Sequence, residues 1–172
     1  VLDGIKDYMR MMPAYDPAMF QVAAPVEPKF EAKDLNLILP TNQKRPYDSI
    51  QFLARITDNS EFMEFRPDYG PEVFCGIAKI DGFPVAIVGN RQGVFPDYPE
   101  YAEGAYPGVG GKHYREGLIK QGEFVTLCGR DNLPMIWLQD TTGIDVGDLA
   151  EEAELLGLGQ ALVYSIEQTD IA

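Results

Sequence analysis

The stretch from Leu133 to Gly147, L-P-M-I-W-L-Q-D-T-T-G-I-D-V-G, constrains this chain more than any other. The apolar run Met135 to Leu138, opened by Pro134 and closed by a polar, glycine-punctuated turn, reads as a buried strand. D-L-A-E-E-A-E-L-L follows at once and forms helix readily, so a strand is expected to pass through a turn into a helix N-terminus. Such a junction aims backbone N–H groups at whatever lies above the sheet.

The segments upstream supply the layers this strand needs. E-V-F-C-G-I-A-K-I (72–80) and P-V-A-I-V-G (84–89) are rich in strand formers and flank Asp81-Gly82, a strong two-residue hairpin signal. The second of these strands is apolar on both faces, as a central, covered strand would be. A long Tyr-, Pro- and Gly-rich loop (90–113) then leads to a helix expected from Tyr114 to Arg130, whose Gly122 and Gly129 would permit close approach to the sheet. After the opening strand, Leu155, Leu158, Leu162 and Ile166 fall at helical spacing in a final helix expected from Asp148 to Ser165.

Strand, helix, strand, helix from Pro84 onward makes the two strands parallel through a crossover. The loops 90–113 and 139–147 must then share the carboxyl edge of the sheet, where open α/β sheets bind ligands. Residues 1–46 carry Pro13, Pro17, Pro25, Pro28, Pro40 and Pro46, which allows a short helix near Leu2 to Met12 and otherwise an extended arm or interdomain linker. A short helix is expected from about 48 to 57, with Asp48 as its cap and Gln51 three residues on. The chain stops at T-D-I-A where another strand would be expected, which suggests a piece of a longer polypeptide.

Charge and rare residues exclude several functions. A formal charge of -13 opposes attraction to nucleic acid or anionic lipid. No apolar run reaches membrane-span length and no signal-peptide pattern opens the chain, so cytoplasmic residence is the default. The two cysteines, Cys75 and Cys128, sit in apolar settings as small core residues, no metal-ligand spacing exists, and His113 is the only histidine.

The glycine loops do not match the common phosphate-binding patterns. A P-loop requires glycine where Tyr106 stands and Ser or Thr where His113 stands, and the dinucleotide pattern begun by Gly108 and Gly110 also fails at His113. In the Gly143 to Gly147 turn, Asp145, Asp148, Glu151 and Glu152 suit a helix N-terminus but repel a resident dianion. The N–H groups of Val146 and Gly147 better suit a carbonyl oxygen that gains charge only during reaction. Simple capping of the helix by Asp145 is the competing reading of the same residues.

L-P-M-I-W-L-Q-D-T-T-G-I-D-V-G resembles the central motif in the second crotonase-like half of biotin-dependent carboxyltransferases. Q-K-R-P-Y-D (43–48), the hairpin 76–90 and the helix bearing E-F-V-T-L-C (123–128) fall in family order, over about Leu39 to Ala172. The G-N-R-Q-G-V-F-P-D-Y-P-E-Y insertion, G-V-G-G-K and A-E-L-L-G-L-G-Q are most similar to the branch that decarboxylates glutaconyl-CoA.

The resemblance implies an α/β, crotonase-like fold of ββα-type units with a partly parallel sheet flanked by helices. It implies residues 1–46 as the arm and 47–172 as a truncated C-terminal carboxyltransferase domain. It also implies carboxyl transfer between an acyl-CoA, glutaconyl-CoA giving crotonyl-CoA, and biotin carried on a partner subunit, within a sodium-pumping decarboxylase. The implied partners are the biotin carrier, a sodium-pumping membrane subunit to which the cytoplasmic chain is peripheral, and a second copy contributing the other crotonase-like half; nucleic acid is not among them. Matched onto this chain, the oxyanion donors are the N–H groups of Val146 and Gly147, with Gly143 permitting the turn and the biotin ureido oxygen as recipient. Thr142, Asp145, Asn90, Gly110 and Gly111 are the accompanying candidates for substrate or biotin contact. A propionyl- or methylmalonyl-CoA-type carboxyltransferase, a nucleotide-binding module and a silent crotonase-like interaction domain are the alternatives.

Overall fold

Asp81 and Gly82 both adopt positive φ, 52° and 80°, the combination a two-residue type I′ turn requires. The turn joins strands Val73–Ile80 and Phe83–Asn90 in the antiparallel register that pairs Ile80 with Phe83 and Val73 with Asn90. Asp58 holds it from outside, its carboxylate accepting the N–H of Asp81 and of Gly82 at 2.8 Å each.

The computed structural model describes residues 2–12, 23–42, 44–96, 98 and 108–169. In chain order the elements are α1 (Leu2–Met11), a 3-10 turn, α2 (Leu35–Ile38), α3 (Ser49–Leu53), a second 3-10 turn, β1 (Met63–Glu64), β2 (Val73–Ile80) and β3 (Phe83–Asn90). There follow β4 (Val94–Phe95), β5 (Gly108–Val109), β6 (Lys112–His113), α4 (Arg115–Arg130), β7 (Met135–Leu138), β8 (Gly143–Ile144), α5 (Asp148–Glu152) and α6 (Leu155–Glu167).

The main sheet runs β1-β2-β3-β7, with β3 and β7 parallel from the Ala86–Met135 pair to the Gly89–Leu138 pair. The mixed α/β, partly parallel architecture expected from the sequence is therefore present. Strand alternation divides the core between the two faces of the sheet. Cys75, Ile77, Ala86 and Val88 face Phe124, Cys128, Leu133 and Met11 on one side. Phe74, Ala78, Val85 and Ile87 face Leu53 on the other. Met11 of α1 thus lies in the core.

Asp48 caps α3 by accepting the Ile50 N–H at 3.0 Å, and the helix ends at Leu53, after which the chain continues in hydrogen-bonded turns to Thr57. Three sequence expectations are corrected. Strand β7 is half-buried rather than buried, because among the described strands only β3 lies beside it. Gly122 and Gly129 face the C-terminal helix region rather than the sheet: a Cβ at Gly129 would meet the Thr169 Cβ at 3.2 Å.

The final helix is two helices, broken where Glu154 turns left-handed at φ 59°. On one continuous helix Ala150 and Leu155 would point about 140° apart. The break lets both join Leu118 in one buried cluster.

Candidate functional site

Because β3 and β7 are parallel, the chain leaves Asn90 and Leu138 at the same edge of the sheet, and hydrogen bonds then tie the two loops together. Gln92 Nε2 donates to Asp140 O at 3.0 Å and to Asp140 Oδ2 at 2.9 Å, and the Tyr47 hydroxyl donates to the same Oδ2 at 2.7 Å. Burial, with Asp140 beside it, pushes the Tyr47 hydroxyl up to about 12, so it stays protonated and keeps donating. The Asp140 N–H donates to Asn90 Oδ1 at 3.3 Å, and the Ser49 hydroxyl donates to Asn90 O at 2.8 Å.

One residue further, the Gly111 carbonyl accepts from the Thr141 hydroxyl at 2.8 Å and from the Thr142 N–H at 2.7 Å. Strands β6 and β8 then pair in parallel, Lys112 with Gly143 and His113 with Ile144, and the Asp145 N–H closes on His113 O at 3.0 Å. The sequence expectation that both loops share one edge thus takes the form of a small second sheet.

Gly143 and Gly147 both sit at φ 123°, where L side chains are strained, while a Cβ at either would meet open space. Their requirement for glycine is conformational rather than steric. Gly110 is the opposite case: a Cβ there would come within 2.6 Å of Gln92 Cα and of Gly93 N, so a side chain is excluded by contact.

Asp145 does not cap the helix. Its carboxylate takes the Lys112 ammonium at 2.7 Å, which raises the Lys112 pKa, and Gly147 is the N-cap of α5 without any side-chain bond. Among the described residues no acceptor meets the N–H of Val146 or of Gly147. Val146 is 84% exposed, so this stretch of backbone is open to solvent.

The structure therefore brings Asn90, Gly111, Thr142, Gly143 and Asp145 into one hydrogen-bonded edge, continuous with Val146 and Gly147. Gly110 serves the packing of residues 91–93 instead. Asn90 is buried, and its Nδ2 has no partner. Arg91 is structural: its guanidinium grips Glu64 through two bonds, 3.0 and 2.6 Å, and lies over the Phe74 ring. Tyr98 is buried against Tyr114. Tyr101 and Tyr106 lie outside the described residues.

His113 is two residues from Gly111 yet carries no nucleophile. Burial lowers its pKa, and its Nδ1 lies 3.1 Å from the Gln121 amide nitrogen, which donates to a neutral ring. Both cysteines are buried, and desolvation pushes each thiol up to about 12. Among the described residues no group of three His, Cys, Asp or Glu side chains is gathered to hold a metal. No described helix is long and apolar enough to cross a membrane.

Two buried charge groups escaped the sequence reading. Lys120, fully buried, donates to Glu64 Oε1 at 3.3 Å and to Val73 O at 3.0 Å, completing a cluster with Arg91. Glu72, also fully buried, accepts the Tyr114 N–H at 3.2 Å and the Tyr98 hydroxyl at 3.3 Å. Lys120 had a signal: it lies four residues before Phe124 and eight before Cys128, on the inward stripe of α4. Glu72 had none, since an acidic residue ahead of a strand ordinarily stays in solvent.

The chain resembles known proteins along nearly all of its length. The family model described as carboxyl transferase domain matches residues 1–171. The chain is 54% identical over 171 residues to the alpha subunit of glutaconyl-CoA decarboxylase from Acidaminococcus fermentans, covering 99% of this chain and 29% of that protein. It is 31% identical over 140 residues to the mitochondrial methylcrotonoyl-CoA carboxylase beta chain of Arabidopsis thaliana, covering 81% of this chain and 21% of that one. Among solved structures, transcarboxylase 12S with hydrolysed methylmalonyl-coenzyme A bound superimposes with a TM-score of 0.78 at 21% identity, covering 98% of this chain and 30% of that one. The geranyl-CoA carboxylase beta subunit of P. aeruginosa gives 0.73 at 24% identity, covering 97% and 28%. These structural likenesses establish the fold, the crotonase-like one expected. The chain spans under a third of the length of the relatives it matches. By the family match and the shared fold, it belongs to the carboxyl transferase domain family.

Proposed function

We propose that this chain is the second crotonase-like half of a carboxyltransferase that moves the terminal carboxyl of glutaconyl-CoA to biotin, leaving crotonyl-CoA. The observation that carries this reading is the 54% identity, along 99% of the chain, to a glutaconyl-CoA decarboxylase alpha subunit. In this reading residues 47–172 form the half-domain and residues 1–46 the arm leading into it. The protein works in the cytoplasm beside the membrane, with a biotin carrier, a sodium-pumping membrane subunit and a second copy as partners.

The chemistry asks little of side chains. The carbon–carbon bond to the substrate's terminal carboxyl breaks, the electron pair delocalises into the thioester carbonyl as a dienolate, and the carbon left behind takes up a proton. Biotin, when bound, supplies the ureido N1 that accepts the carboxyl and gives up its proton in exchange. What the protein must provide is hydrogen bonding to an oxygen that gains charge along the path.

Val146 and Gly147 suit that role, offering two adjacent N–H groups without a described acceptor, on exposed backbone fixed by glycines at φ 123°. The charges nearby suit it too. Asp145 is neutralised by Lys112, and Asp148 and Glu151 in the first turn of α5 disfavour a resident phosphate but tolerate a neutral ureido carbonyl. Gly111 and Thr142 hold the turn, and Asn90 anchors Asp140 behind it.

The full-length polypeptide tests the reading. Replacing Gly147 by glycolic acid turns its amide into an ester, removing one N–H while keeping the glycine backbone. Loss of one such donor is expected to slow carboxyl transfer from glutaconyl-CoA to free biotin by a factor of about 100 to 1,000. An unchanged rate in the folded ester protein overturns the oxyanion assignment.

A further inference from the structure

Glu72 is the one fully buried carboxyl of the described chain whose Oε2 has no hydrogen-bond partner, and Glu116 Oε2, at the start of α4, is a second buried carboxyl oxygen without one. The donors facing Glu72 are few. Its own backbone N–H acts on the carboxyl, and Tyr114 offers its backbone N–H and Tyr98 its hydroxyl, the latter two to Oε1. The Tyr98 hydroxyl also lies in hydrogen-bonding reach of Glu116, but it has a single proton and satisfies one carboxyl at a time. The remaining charges around Glu72 are committed elsewhere: Arg91 and Lys120 both bind Glu64. Cys75, on β2, is neutral.

The α4 backbone at Gly117 presses on the carboxyl so closely that an added Cβ would collide with Oε1. Among the described residues Oε2 is left without a donor; ionised Glu72 would draw its few donors tighter, but a buried, half-satisfied charge favours any opening that exposes it to water, so a proton on Glu72 holds this region closed.

We propose that Glu72 is a proton-controlled latch: protonated, it fixes Tyr114 and with it the β6–β8 pairing that carries the Gly143–Gly147 turn, and loss of the proton loosens that pairing.

The mechanical path is short. Tyr114, whose N–H bonds Glu72, is the N-cap of α4 and directly follows His113 of β6. The Tyr114 hydroxyl accepts the Val109 N–H at 2.9 Å, and the Gly108 N–H bonds Tyr98 O. Both tyrosines that touch Glu72 thus also hold the segment entering β6. Burial pushes the Glu72 carboxyl up to about 7, against the pull of its hydrogen bonds and of Lys120, which puts the change within physiological pH. The importance of the latch for catalysis rests on the carboxyl-transfer reading; its measurement does not.

Hydrogen exchange of the full-length protein, corrected for the intrinsic pH dependence of exchange, reads the latch at the Thr142 and Asp145 amides, which bond Gly111 O and His113 O. Protection at these amides is expected to hold below the ordinary carboxyl range, to fall by up to about tenfold per pH unit as the pH rises from there toward about 7, and to level off above it. In Glu72→Gln, which keeps the Oε1 acceptor and adds a permanent donor at the other position, protection should stay flat. Equal, pH-independent protection in both proteins overturns the proposal.

If Glu72→Gln does not fold, Tyr98→Phe decides. Removing a donor to the ionised carboxylate should move the pH at which protection levels off to a higher value, and an unmoved levelling point overturns the latch. Transfer activity enters neither readout, so the latch and the carboxyl-transfer reading fail separately.

Discussion

Replacing Glu64 by Gln attacks the most concentrated buried charge in the structure. Glu64 is 15% exposed and answers two cations: Arg91 through bonds of 3.0 and 2.6 Å, and Lys120 at 3.3 Å, whose side chain is fully buried. At an effective dielectric of about 20, each pair near 3 Å is worth roughly 5 kcal/mol in gross attraction, most of it offset by desolvation of the partners.

The glutamine keeps the shape and one neutral acceptor oxygen, but the charge facing both cations is gone, and their other acceptors are the Pro71 and Val73 carbonyls for Arg91 and the Val73 carbonyl for Lys120. Breaking a buried pair from one side typically costs about 3–5 kcal/mol. Because Lys120 can shed its proton, the expected loss at pH 7 lies at the lower end, about 3 kcal/mol.

The pH profile carries the mechanism. Burial already lowers the Lys120 pKa, and Glu64 is the charge that opposes this. Without Glu64 the folded pKa falls further, so between that value and the unfolded one the unfolded chain binds the extra proton, and stability should rise with pH. Urea unfolding followed by the fluorescence of Trp137 measures both effects, and Glu64→Gln combined with Lys120→Met should recover most of the loss. A loss below about 1 kcal/mol, or a double variant no better than the single, refutes the view that Glu64 is held in place by two desolvated cations.

Other outcomes follow from single contacts. Gly117→Ala should destabilise by about 1–3 kcal/mol in urea unfolding, because its Cβ enters the fully buried Glu72 carboxyl. Asp48→Ala removes the α3 cap and should cost about 1 kcal/mol by the same measurement, with Asp48→Asn largely restoring it. Cys75 and Cys128 should resist a thiol-specific chromogenic reagent at pH 8 in the folded protein and react at once in urea, since burial pushes both thiols up to about 12.

What the sequence disclosed, and what it did not, follows the range of the forces involved. The Asp81-Gly82 turn, the apolar alternation of β2 and β3, and the Asp48 cap are local, and each stands where the pattern put it. The shared edge of the two loops was legible because chain order alone forces β3 and β7 parallel. The break at Glu154 was not, since it answers to the joint burial of Ala150 and Leu155 against Leu118, a contact between distant segments. For the same reason Gly122 and Gly129, read as spacers against the sheet, face the C-terminal helix region instead.

At the candidate site, the charges around the turn and the family resemblance singled out Gly143 and Gly147, and both take the left-handed backbone that favours glycine. It left open whether Asp145 caps α5; the Lys112 ammonium, brought near only by the β6–β8 pairing, decides against it. Arg91 lies in the 90–113 loop by sequence, and only the fold reveals Glu64 beneath it.

The central claim is carboxyl transfer from glutaconyl-CoA, and one isotope experiment addresses it. The full-length polypeptide is incubated with free biotin and glutaconyl-CoA labelled with carbon-14 in its terminal carboxyl, with labelled methylmalonyl-CoA in a parallel reaction. The account predicts acid-labile label on biotin and stoichiometric crotonyl-CoA from the first substrate, and little transfer from the second. Label arriving from methylmalonyl-CoA but not from glutaconyl-CoA, or from neither in folded protein, would contradict it.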